Sequence, residues 1–368
     1  MSPRRGSPLR LVACFAAVLL VPLEAASWQS RPVQVVAVGD LLLAGALLPL
    51  LDRHGTDYPF LHVRDRLRGA DVAVGNLEVP LTRAQTPTPG KDPRAVREGR
   101  DYVFRAPPTL AGNLRRAGFD VLSLANNHAM DYGAEGLLET VRVLRAAGIR
   151  PVGAGRNVEE ATRAVVWRSS GVELAFLAAS QILPVGSVAT DSSPGIAASR
   201  GNYGGRDWRA GLLQRVRAHA AAGRVVVVSV HWGTERASVP DREQVELAAA
   251  LAAHGAHAVL GHHPHVLQGM AWVGRTFVAF SLGNFVATPS DRLARESVMV
   301  TLWVTSHGVR RVQVQPVWIQ AGQPQPLGGE PAARLLSRLD RLSRAFGATV
   351  SPAGEVWPSV RTSNRSGP

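Results

Sequence analysis

Cysteine is nearly absent from this 368-residue chain: Cys14 is the only one, and it lies in an N-terminal segment that reads as removable. No disulfide scaffold and no thiolate metal site is therefore available, and any metal must be held by imidazole, carboxylate and amide groups. Lysine is as scarce, with Lys91 alone in a total of 41 Lys and Arg and a formal net charge of +13. A basic surface attracts nucleic acid, anionic polymers and membrane headgroups about equally, so charge by itself selects no partner. Aromatics make up only 6% of the chain. They are not interleaved with the arginines, which removes the stacking platforms that favour nucleic acid as a partner. After residue 26 no apolar run approaches the roughly 20 residues of a membrane helix. Apolar residues at 46% and charged residues at 19% are the composition of a folded globular protein.

Residues 1–26 read as an export signal: Arg4, Arg5 and Arg10, an apolar run from Leu11 to Leu23, then Ala25, Ala26 and Ser27 where a peptidase could cut. An uncleaved N-terminal anchor is the alternative. Cys14 precedes most of the apolar run, whereas a lipoprotein cysteine follows it. The expected location is therefore exported, either free or held on the outer side of a membrane, with peripheral membrane association open.

From residue 32 to 347 we expect one domain. Apolar strands (Val33–Val38, Asp71–Val74, Asp120–Leu124) alternate with helices (Leu61–Arg68, Pro108–Ala117, Gly133–Ala147), the rhythm of a covered parallel sheet. A hairpin over Arg163–Arg168 and Val172–Ala178 interrupts it. The rhythm then returns with helix Trp208–Ala222, strand Arg224–Val230, helix Val239–His254 and strand His257–Leu260. The end is β-rich: Val266–Trp272, Thr276–Ser281, Ser297–Thr305 and Val309–Val317. Two packed sheets, each covered outside by helices, accommodate this order. Residues 82–101 are too long for an ordinary connection and read as an inserted loop or lid. Residues 348–368 read as a flexible tail.

Polar residues gather where the apolar strands end, which is where open α/β sheets place ligands. Asp40 follows Gly39; taken alone it reads as a cap or turn residue. Asn76 and Glu78 share a side after Asp71–Val74, and Glu78 alone could equally be an edge ion pair. In Ala125-Asn126-Asn127-His128-Ala129-Met130-Asp131-Tyr132-Gly133, capping suits Asp131, but two asparagines and a histidine exceed what a cap needs. Asn127 can offer its carbonyl oxygen to a metal, and His128 can serve as a proton donor. His231 ends the next buried strand. Gly261-His262-His263-Pro264-His265 is the densest cluster, three imidazoles in four residues on a tight loop. Ser281-Leu282-Gly283-Asn284-Phe285 is placed to hydrogen-bond the ligating rings. Such an oxygen and nitrogen set suits Mn, Zn or Fe, as one ion or two.

These six motifs, in this order over residues 33–318, resemble the CapA family of poly-γ-glutamate capsule biosynthesis proteins, within the calcineurin-like metallophosphoesterase superfamily. The resemblance implies an α/β fold, a four-layer αββα sandwich, and a role in synthesis or export of an anionic polymer. It implies contact with envelope export or synthesis machinery. Carried over by residue, it makes Asp40, Glu78, Asn127, His231, His263 and His265 metal ligands and His128 the general acid. Asn126 and Asn284 become substrate contacts. The histidine loop is one residue longer than the usual Gly-His-x-His, which keeps His262 as a further ligand candidate. The usual Asp-x-His is Asp40-Leu41-Leu42 here, and the usual Gly-Asp-x-x-Asp is Gly75-Asn76-Leu77-Glu78, so the metal count and phosphatase activity stay open. The alternatives are a polymer-binding assembly factor without catalysis, and a secreted metal-dependent nuclease or nucleotidase.

Overall fold

The computed structural model describes residues 31–88, 94 and 102–359. The expected signal or anchor over 1–26, most of the expected insertion over 82–101 and residues 360–368 lie outside that range. No helix among the described residues is long and apolar enough to cross a membrane.

Four parallel strands open the chain: β1 (Val33–Leu41), β2 (Val72–Leu77), β3 (Val121–Ser123) and β4 (Arg150–Val152). Between them run the helices α1 (Leu48–His54), α2 (Arg64–Arg68), α3 (Leu110–Ala117) and α4 (Gly133–Ala146). After a single turn of helix, α5 (Val158–Ala161), a second sheet begins with the antiparallel hairpin β5 (Val165–Ser169) and β6 (Val172–Ser180). β7 (Val225–His231) and β8 (Ala256–His262) extend it in parallel, with α6 (Trp208–Ala221) and α7 (Arg242–Ala253) as crossovers. The hairpin β9 (Met270–Val273) and β10 (Thr276–Ala279) completes it, giving the order β9-β10-β8-β7-β6-β5. The chain then rejoins the first sheet through β11 (Asn284–Val286), β12 (Glu296–Thr305), β13 (Gly308–Gln320) and β14 (Gln323–Pro326). That sheet is ordered β14-β13-β12-β1-β2-β3-β4, with β11 paired to β1.

The period of two along buried strands turns this order into layers. Val33, Val35 and Ala37 of β1 meet Leu174 and Phe176 of β6 and Val225 and Val227 of β7 in a core between the sheets. Val36 and Val38, one residue out of phase, meet Leu114 of α3 and Leu137 and Leu144 of α4. On the other outer face Leu177, Val226 and Val228 meet Trp208 of α6 and Leu247 and Leu251 of α7. Helix, sheet, sheet and helix are thus the four layers of an αββα sandwich. Each fully buried Val or Leu contributes about 1.5–3 kcal/mol relative to exposure.

Two features depart from the expected elements. A further helix, α8 (Gly329–Arg344), sets Leu335, Leu336 and Leu339 into the core between the sheets. The flexible tail expected from residue 348 is instead a hairpin, β15 (Ala348–Val350) with β16 (Val356–Pro358). Val350 and Val356 are buried in the same core, and Asp340 of α8 accepts the Val350 N–H at 2.9 Å. So few apolar residues cannot make a core alone; α8 and the sheets supply the surface they cover.

The end of β1 is where the fold makes a site. Along Val33–Val38 its neighbours are β2 and the antiparallel β12. From Asp40 onward β12 gives way to the parallel β11, with Asp40 level with Asn76 on one side and Asn284 on the other. A change of neighbour at a strand's carboxyl end opens a crevice. Gly39 permits it, since a Cβ there would sit 1.9 Å from the Gly283 carbonyl oxygen. Gly39→Ala is expected to destabilise the protein by about 1–3 kcal/mol through overpacking. Gly211→Ala, at the end of the first turn of α6 with open space around it, is expected to be neutral or stabilising by up to about 1 kcal/mol. Urea denaturation midpoints at unchanged slope check both.

Candidate metal centre

Five strand ends converge on Asp40 and Glu78, and both carboxylates are fully buried. Asp40, at the end of β1, is well partnered. It accepts from Asn76 Nδ2 at 2.8 Å and from the His263 backbone N–H at 3.3 Å, and it meets His262 Nδ1 at 3.1 Å and His265 Nδ1 at 3.3 Å. Burial pushes its carboxyl upward, but the hydrogen bonds and charges of His262 and His265 outweigh that and hold it well below the usual carboxylate range. Glu78, just past β2, is its opposite. Among the described residues neither of its oxygens has a hydrogen-bond partner, and burial holds its carboxyl well above the usual range against the pull of His265.

The imidazoles surround this carboxylate. Ligand atoms of Glu78, His263 and His265 lie within 4.8 Å of one another, and those of Asp40, Glu78 and His231 form a second such group. Glu78 belongs to both. His231 Nε2 is 3.4 Å from Glu78 Oε1, and His265 Nε2 is 3.7 Å from the same oxygen. Asn127 Oδ1 lies 2.7 Å from His231 Nε2, so two candidate donor atoms point at one spot. Burial and the nearby His263 hold His231 well below the usual imidazole value. Burial and His265 likewise lower His263, to about 4. Burial opposes charge on His265 too, yet the carboxyls of Glu78 and Asp40 prevail and raise it to about 9. His263 and His265 hold left-handed backbone angles, φ +94° and +58°. That conformation is strained for a non-glycine residue, and the surrounding packing must impose it.

This donor set fits a divalent cation of borderline hardness. A buried carboxylate with two unpartnered oxygens costs several kcal/mol if ionised. The buried, unpartnered Nδ1 of His263 adds to that cost. A cation among Glu78, Asp40, His231, Asn127, His263 and His265 would remove the cost at Glu78.

Four of the expected roles come out differently. His262 Nδ1 is directed to Asp40, and His262 belongs to neither ligand group; it braces the carboxylate. Asn126, expected to touch substrate, donates to Asn76 Oδ1 at 3.1 Å and to the Leu77 carbonyl at 2.9 Å, and accepts the His128 N–H. Asn284 donates to the His265 and Ala294 carbonyls at 3.2 and 3.1 Å, while its Oδ1 meets His265 Nδ1 at 3.0 Å. Both amides commit both N–H groups inside the protein, so they position ligands and have no donor left for substrate. Asp131 does not cap α4, whose N-cap Tyr132 makes no side-chain bond. Instead Asp131 Oδ2 accepts the Phe104 N–H at 2.7 Å and meets His128 Nδ1 at 2.9 Å. Phe104 packs on the His128 ring with centroids 4.5 Å apart. Asn76 is the contact sequence reasoning left without a role. Its Nδ2 lies 2.8 Å from Asp40 and 3.3 Å from His231 Nδ1, joining the two sheets. Its phase with Glu78 was the available signal.

A family model described as bacterial capsule synthesis protein PGA_cap matches residues 34–289, more than half of the chain and every candidate residue from Asp40 to Asn284. The chain belongs to this family. Capsule biosynthesis protein CapA of Bacillus anthracis is 30% identical to this PGA_cap chain over 336 residues, covering 86% of this chain and 78% of that protein. PGA biosynthesis protein CapA of Bacillus subtilis (strain 168) is 28% identical over 291 residues, covering 79% and 72%. Among solved structures, a hypothetical protein from Thermus thermophilus aligns with a TM-score of 0.42 at 18% identity, over 80% of this chain and 98% of that one.

The electrostatics of the cluster can be tested in two ways. Glu78→Gln removes a carboxyl that folding forces out of its favoured ionised form at pH 7, so it is expected to raise the melting temperature of chelator-treated protein at that pH. The same change should abolish the melting increase that Mn²⁺ or Zn²⁺ gives wild type. Loss of stability in the stripped variant would count against an uncompensated Glu78. The second concerns acid. An unfolded histidine takes up a proton near 6.5, while buried His263 resists until about 4. Lowering the pH through that window favours the unfolded, proton-binding chain, so metal-free stability falls. Denaturant unfolding across that range is expected to show a shallower fall for His263→Gln.

Proposed function

We propose that this PGA_cap protein is a metal-dependent hydrolase of phosphoryl or acyl bonds, acting on an anionic polymer of the poly-γ-glutamate kind during its synthesis or export. One observation carries the reading. A fully buried carboxylate, Glu78, has no hydrogen-bond partner and is ringed by histidines and a second carboxylate at a sheet crevice. Structural ion pairs satisfy their oxygens; a carboxylate kept unsatisfied among imidazoles is the pattern of a cation site. Polymer and pathway are the capsule and PGA biosynthesis in the names of the two Bacillus relatives, brought to this chain as part of the proposal. An exported location, reached through residues 1–26, belongs to it as well.

A Mn, Zn or Fe ion held by Asp40, Glu78, Asn127, His231, His263 and His265 would supply Lewis acidity toward the oxygen of the phosphoryl or carbonyl group under attack and a lower pKa for water. If two ions bind, Glu78 is the residue common to both donor groups. The protein's own part in proton transfer falls to His128. Asp131 accepts from Nδ1, which fixes the ring's orientation, and its carboxylate would stabilise the doubly protonated ring, from which Nε2 gives its proton to the leaving group while Nδ1 keeps its own. The Phe104 ring against His128 shields that proton from bulk water. His128 is close enough to His263 for its charge to oppose protonation there.

With metal-reconstituted protein, His128→Ala is expected to lower turnover of a phosphoryl or acyl ester by about 10²–10⁴-fold. The metal-induced rise in melting temperature should be retained, and Asp131→Asn should fall between the variant and wild type. Wild-type protein that binds metal but hydrolyses nothing would leave the assembly-factor reading in place of the enzyme.

A further inference from the structure

The segment between β11 and β12 is tied to the metal loops at several points. Asn284, which orients His265, donates to the Ala294 carbonyl, and Arg236 pairs with Asp291 at 2.6 Å. Arg236 also gives its backbone N–H to the Pro264 carbonyl at 2.9 Å, within the histidine loop. The same segment forms one wall of a groove of about 780 Å³ through Arg292 and Glu296, with Trp318 of β13 and the exposed face of α8 completing it.

That face of α8 is cationic by spacing. Arg334, Arg338 and Arg341 stand four and three residues apart, so they share one side of the helix, while Leu335, Leu336 and Leu339 are buried. Arg338 pairs with Glu296 at 3.0 Å, and Arg334 pairs with Glu330. Arg292 and Arg341 line the same groove and are exposed. Among the described residues neither has a carboxylate within ion-pair distance, and Arg341 reaches only the Ser337 hydroxyl at 3.0 Å. Four guanidinium groups thus share a groove with two carboxylates, and two cations are left over. Trp318 and Leu327 give it apolar patches between the charges.

We propose that this groove binds a polycarboxylate chain and presents it to the metal centre, a proposal that rests on the substrate reading above. Carboxylates separated by short aliphatic spacers match both features: guanidinium groups take carboxylates in bidentate pairs, and methylenes pack on the Trp318 face. The groove offers no succession of aromatic faces on which nucleic acid bases would stack.

The test measures binding of a labelled poly-γ-glutamate oligomer to the full, Mn²⁺-loaded chain on a His128→Ala background, which leaves the probe uncut. Adding Arg292→Gln and Arg341→Gln together is expected to weaken binding about tenfold and to flatten its dependence on salt. The metal-induced melting shift and wild-type-background turnover of a small ester should stay unchanged. Unaltered affinity in the double variant overturns the groove alone. So does loss of binding only in His263→Ala/His265→Ala, which would put the polymer on the metal. Duplex DNA competing as well as the polymer overturns the class of occupant. Absence of any polymer binding by the starting protein overturns the substrate reading and the groove with it.

Discussion

Ionising a carboxyl that is sealed from water with nothing to hydrogen-bond it is among the most costly demands a fold can meet, and the candidate site is organised around such a group, Glu78, which has no hydrogen-bond partner among the described residues. Asp40 lies at the same crevice but is saturated by Asn76, the His263 backbone, His262 and His265. The difference between the two carboxylates is that one has its partners within the protein and the other has none among the described residues. It also explains why their protonation is driven in opposite directions within one pocket, Asp40 toward the ionised form by its histidine partners and Glu78 toward the neutral form by burial.

Holding such a cluster in place falls to residues outside the two candidate donor groups. Asn76 spans Asp40 and His231, Asn126 holds Asn76, Asn284 holds His265, and His262 holds Asp40. Asparagine suits this work because it offers two donors and an acceptor without adding charge to a pocket already crowded with it. The left-handed backbone at His263 and His265 is the other cost, offset by the packing of the loop between β8 and β9.

Much of the fold was legible because its signals are local. The alternation of apolar strands with helices gave the layers, and Val33–Val38 and Arg224–Val230 read as strands, which the structure places at Val33–Leu41 and Val225–His231. Helix α8, the hairpin after it and the placement of Asp131 escaped. The hairpin at 348–358 has too few apolar residues to announce itself and forms because α8 offers a surface to cover. Asp131 carried a helix-cap signal in its neighbourhood, yet tertiary placement turned it toward His128 and Phe104. Asn126 and Asn284 were visible as polar residues at strand ends, but their role depends on partners 50 and 19 residues away.

The residue order by itself determined the donor chemistry, histidine, carboxylate and amide without thiolate, and where each donor stands relative to its own strand. Those depend on composition and on a two-residue period, which are properties of short stretches. Only the tertiary structure decided which donors remain unsatisfied and which are consumed as braces. That distinction is set by atoms brought together from both sheets at distances of 2.7 to 3.7 Å, as between Asn127 and His231 or Glu78 and His265, and no local pattern encodes it.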